Sequence, residues 1–62
     1  MIVLELNQQI TGRHFWTGQF DTNSNPLCSD KPEEAKTFSD PEEAEVERLS
    51  IVNLEHFYVS EV

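Results

Sequence analysis

In residues 2–9, "IVLELNQQ", apolar Ile2, Leu4 and Leu6 fall at every second position, the period of a strand with one buried face. Thr11 and Gly12 carry a turn signal, and "RHFWTGQF" follows with aromatic and β-favouring residues. Together they predict a β-hairpin over residues 2–20. The next stretch, "DTNSNPLCSDKP" (21–32), is rich in Asn, Ser, Asp and Pro and has no hydrophobic period, which predicts a mobile surface loop. "EEAKTF" alternates weakly through Ala35 and Phe38 and reads as a short extended lead into the following element.

That element is a helix predicted from Pro41 to Ser50. Asp40 is suited to N-cap, Pro41 to the first turn where no N–H is needed, and Glu43 to the capping-box position three residues on. At 100° per residue Val46, Leu49 and Val52 form one narrow stripe, while Ala44, Glu47 and Arg48 lie away from it. A helix this short must dock to persist, and the stripe is the face expected to do so. "LEHFYVSEV" closes the chain as a strand with Phe57 and Val59 on one face and His56, Tyr58 and Ser60 on the other. The expected architecture is a single α+β domain over residues 1–62. It has two layers: an antiparallel sheet of three or four strands, and one short helix packed on it in the order β-β-α-β.

Length and charge narrow the function classes. A 62-residue chain buries only ~60% of the surface it exposes when unfolded and leaves no room for a deep, enclosed active site. The formal charge of −8, from twelve acidic against four basic residues, opposes direct binding to nucleic acid or an anionic membrane. No apolar segment approaches the ~20 residues of a membrane span. Cys28 is alone and cannot form an internal disulfide, and the N-terminal stretch lacks a basic, leader-like pattern. These features point to a cytoplasmic protein.

The acidic residues are clustered. Residues 30–47 contain eight of the twelve carboxylates, Asp30, Glu33, Glu34, Asp40, Glu42, Glu43, Glu45 and Glu47, against Lys31 and Lys36 alone. Three need no partner, because Asp40, Glu42 and Glu43 oppose the positive end of the helix dipole at ~0.3–1 kcal/mol each. Glu45 can pair with Arg48, while Glu43 and Glu47 repel at i, i+4. The rest form either a solvated face that confers solubility or a patch complementary to a basic site, in the manner of a nucleic-acid mimic.

"HFW" and "HFY" each hold consecutive aromatics, which on a strand point to opposite faces, so Tyr58 and either Phe15 or Trp16 are expected outside the core. They serve either as cross-strand pairs or as interface anchors. Cys28, His14 and His56 are the soft-metal ligands, at no recognised pair spacing. There is no cofactor motif, and a nucleophile arrangement from these residues is generic.

The succession "HFWTGQFD", "AKTFSDPEEAEVERL", "LEHFYVSEV" resembles, in layout, small phage-encoded host-takeover inhibitors, among them the T7-type inhibitors of host RNA polymerase and small anti-CRISPR proteins. The likeness covers about residues 13–62, and the chain departs from the T7 type in its additional N-terminal strand and its polar loop. The resemblance implies a protein without chemistry of its own, working in the host cytoplasm. Its partner would be a host protein with a basic surface, such as RNA polymerase, a CRISPR effector or a nuclease. Read from the acidic cluster and the aromatics themselves, and not from the resemblance, the partner-binding residues would be Glu33, Glu34, Asp40, Glu42, Glu43, Glu45 and Glu47, with Trp16 or Tyr58 as anchor. The alternative is an accessory subunit that forms a homodimer through the edge of "IVLELNQQI".

Overall fold

The computed structural model describes residues 1–7 and 12–62. In chain order it contains β1 (Ile2–Leu6), β2 (Phe15–Phe20), β3 (Pro26–Ser29), a 3-10 turn (Pro32–Glu34), α1 (Pro41–Ser50), a second 3-10 turn (Val52–Leu54) and β4 (Phe57–Glu61). The strands form one antiparallel sheet in the order β3-β2-β1-β4, and α1 packs on it against β4 and β1. This is a small α+β fold. β1 and β2 are the antiparallel neighbours expected of the hairpin, with Glu5 opposite Phe15 and the Leu6 N–H donating to the His14 carbonyl at 2.8 Å. Of the expected turn, Thr11 lies outside the described residues and Gly12 has φ +93°.

The predicted loop over residues 21–32 is instead a turn and a strand. Asp21 Oδ1 accepts backbone N–H bonds from Asn23 (2.8 Å) and Asn25 (2.9 Å), which folds the chain back on itself. β3 then pairs with β2, placing Cys28 opposite Trp16 and Ser29 opposite Phe15. The strand escaped the hydrophobic pattern because it is an edge: Pro26 occupies its first position and Leu27 and Cys28 are exposed.

β1 also differs from the reading of one buried face. Val3 and Leu4 are both fully buried although they point to opposite sides of the sheet, Leu4 in the core under the helix and Val3 on the side of Phe15 and Arg13. The main core lies under the helix and joins Leu4, Trp16, Phe38, Ala44, Leu54 and Phe57, with Ile2, Leu6, Ile51 and Val59 packed against it. The lead segment is extended as expected, for the Lys36 N–H donates to the Trp16 carbonyl and the Phe38 N–H to the Ile2 carbonyl, both at 2.9 Å. Residues 36–38 thus tie β2 to β1 beyond their single paired position. Gly18, at φ +92°, permits this approach: a Cβ there would lie 3.2 Å from Lys36 Cδ.

α1 has the bounds and cap read from the sequence, with Asp40 Oδ1 accepting the Glu43 N–H at 2.8 Å. Its orientation is the reverse of that expected. Ala44 is fully buried, whereas Val46, Leu49 and Val52 are 62%, 70% and 79% exposed. The cause lies at the two ends. Phe38 before the helix and Leu54 after it are both in the core, and these anchors set the rotation about the helix axis. Ala44, the smallest side chain on the helix, then meets the sheet and allows close approach.

Candidate partner-binding surface

The acidic residues fall into three groups. Glu33 and Glu34 lie on the exposed 3-10 turn that follows β3, and Glu34 accepts a hydrogen bond from the Ser29 hydroxyl. Asp40 is occupied as the helix cap. On α1, Glu45 is paired with Arg48, and Glu47 holds Lys36 Nζ at 2.5 Å. The Lys36 ammonium also lies 5.4 Å from the ring centroids of both Trp16 and Phe38, so this cation is held against the core. Glu42 and Glu43 are exposed in the first helical turn, and among the described residues neither carboxylate forms an ion pair, nor does that of Asp30 or Glu33.

The remaining engaged cation is Arg13, on the sheet face opposite α1. Its Nε and Nη2 donate to the two carboxylate oxygens of Glu5 at 3.0 and 2.8 Å, and Nη2 also reaches Ser60 Oγ at 3.1 Å. The guanidinium lies 5.1 Å from the Phe15 ring centroid and helps cover that side of β2. Glu5 is the one buried charged residue among those described. The hydrogen bonding from Arg13 holds its carboxyl below the usual range, outweighing a burial effect that acts the other way. Three of the four Lys and Arg residues are therefore committed to internal ion pairs.

The aromatic anchors separate. Trp16 is 2% exposed, with its indole N–H donating to the Gln19 carbonyl at 3.1 Å, and Phe15 is also buried. The expectation that one of the two projects outward is therefore corrected: Trp16 fills the helix-side core, and Phe15 is enclosed on the other face. Tyr58 is exposed, and alternation along β4 places it on the Glu5 and Arg13 side, away from α1. Partial desolvation of its packed edge and the neighbouring Glu5 raise its phenol pKa. The fold thus does not join Tyr58 to the acidic helix. What it adds to that helix is Val46 and Leu49, and in the turn after it Val52, all of which the sequence reading assigned to the core. The signal was present as a stripe interleaved with Glu42 and Glu45, but nothing local says which way such a stripe faces.

A groove of about 340 Å³ lies between β3 and the segment after α1, lined among others by Leu6, Pro26, Cys28, Asn53, His56 and Phe57. It brings Cys28 and His56 to one place, which their sequence separation did not foretell. Burial of the sulfur pushes the Cys28 thiol pKa up, which keeps it protonated at neutral pH, the opposite of an activated nucleophile. Among the described residues no three His, Cys, Asp or Glu side chains are placed to hold a metal ion, and no helix is long and apolar enough to cross a membrane. The proposed homodimer edge is also altered: β1 is bonded on both sides by β2 and β4, so residues 2–6 offer no free edge, and residues 8–10 of that stretch lie outside the described residues.

Comparison with protein families, with curated proteins and with solved structures finds no match to this chain.

Proposed function

We propose that this protein is an acidic protein-binding module that occludes a basic site on a nucleic-acid-handling protein, acting as an inhibitor in the phage host-takeover manner and carrying out no chemistry of its own. The observation that supports the reading is the distribution of counter-ions. Arg13, Lys36 and Arg48 are bound to internal carboxylates, while Asp30, Glu33, Glu42 and Glu43 have no ion pair among the described residues. A large part of the surplus negative charge is therefore presented outward on the 3-10 turn and the start of α1, at Glu33, Glu34, Glu42 and Glu43. Such a surface competes with phosphates for a cationic groove and accelerates encounter with it.

The test is capture from bacterial lysate on tagged protein at low and at high salt, with the retained proteins identified by mass spectrometry. Retention of a nucleic-acid-handling protein at low salt is expected, with loss at high salt and on Glu42→Lys with Glu43→Lys. Retention indifferent to both salt and charge reversal would overturn the reading.

A further inference from the structure

The helix is docked by its small side, and its larger apolar residues face solvent. Val46, Leu49 and Val52, spaced i, i+3 and i+6, are 62%, 70% and 79% exposed, whereas buried Ala44 meets the sheet. At 100° per residue Glu42 and Glu45 fall on the same outward side as Leu49 and Val46, with Glu43 at its margin. The outer face is thus a short apolar strip with the Glu42 carboxylate on it, Glu43 at its margin and Glu45 held by Arg48. Isolated exposed apolar residues are ordinary, but here Val46 and Leu49 share one face of a helix whose own packing does not use them, and Val52 is exposed in the 3-10 turn that follows.

Building on the reading above, we infer that the outer face of α1 is the contact surface, and that its partner is a protein surface with an apolar strip or groove rimmed by Lys and Arg, which receives the helix through Val46 and Leu49. Charge complementarity selects this occupant. A second copy carries −8 as well, and pairing two such faces concentrates carboxylates. An apolar surface rimmed by cations satisfies both the strip and its border, in the manner of a helix seated in a groove. The anchors would contribute most of the affinity, and the carboxylates orientation and rate.

The test uses the full chain and two synthetic peptides of equal charge, an amphipathic helical peptide of Leu and Lys and an oligolysine, with binding followed by amide chemical shifts at low salt. The expected result is tighter binding of the Leu/Lys peptide, with shifts concentrated in residues 42–53. The Val46→Ser, Leu49→Ser double variant, shown by circular dichroism and thermal unfolding to be folded, should weaken that complex roughly tenfold or more and leave oligolysine binding unchanged. Equal binding of the two peptides, undiminished in the double variant, would overturn this inference and leave the acidic-module reading standing. Failure of both peptides to bind would overturn that reading too. Self-association of the free protein in sedimentation, abolished by the double variant, would assign the face to a second copy and overturn the inference.

Discussion

Glu5 shows how much one residue depends on its surroundings. In "IVLEL" it interrupts an apolar strand, and its parity with Val3 places it on the face away from Leu4. Its partner, Arg13, follows from the register of β1 against β2, which no local pattern reveals. Because the Arg13 pairing depresses the folded-state pKa of Glu5, its stabilisation is fully present above the ordinary carboxylate range and is lost as pH falls through the depressed value. Replacing Arg13 by Ala should lower stability at neutral pH, because it leaves the buried Glu5 carboxylate without its counter-ion. The deficit relative to the unmodified protein should shrink on acidification. Urea unfolding near neutrality and again at about pH 3 reads both effects, and a deficit of equal size at the two pH values would refute the account.

For the helix, local chemistry and tertiary packing divided the work. Asp40, Pro41 and Glu43 specify where α1 begins because capping is settled among residues a few positions apart. Which face turns inward is not settled there, since Phe38 and Leu54 anchor the chain on either side. Ala44→Leu should therefore destabilise by about 1–3 kcal/mol through overpacking. Val46→Ser and Leu49→Ser should each stay within roughly 0.5 kcal/mol, despite removing larger apolar groups. Denaturant midpoints for the three variants decide this, and the reverse order would mean that the stripe, not Ala44, meets the sheet. β3 teaches the same lesson for strands: an edge buries so little that its residues carry no alternation, and its pairing with β2 emerges only once Asp21 has turned the chain.

For the whole molecule, the unbalanced charge is the dominant feature. With three cations held in internal pairs, the surplus carboxylates repel one another across a protein of 28 × 25 × 20 Å, distances within about one Debye length at ~0.01 M salt but more than two at physiological ionic strength. Added NaCl should screen this repulsion more than it weakens the buried Glu5–Arg13 pair. A gain of about 1 kcal/mol, or roughly 4–8 °C in Tm for a domain of this size, is expected between low and high salt. A Tm that falls with salt would show that the ion pairs outweigh the repulsion.

By itself the sequence determined the α+β class, the limits and cap of α1, the strand character of β1, β2 and β4, the extended lead through Phe38 and the acidic character of residues 30–47. Each of these depends on period, capping or composition, which neighbouring residues settle among themselves. Only the tertiary structure decided that β1 lies inside the sheet, that β3 exists, that Trp16 and Phe15 are both enclosed, and that Val46, Leu49 and Val52 face solvent. Those outcomes depend on which distant segments share a core: what packs above and below a strand sets how many of its faces are buried, and the anchors flanking a helix set its rotation. The boundary between the two sets is the range of the interactions, a few residues for the first and most of the chain for the second.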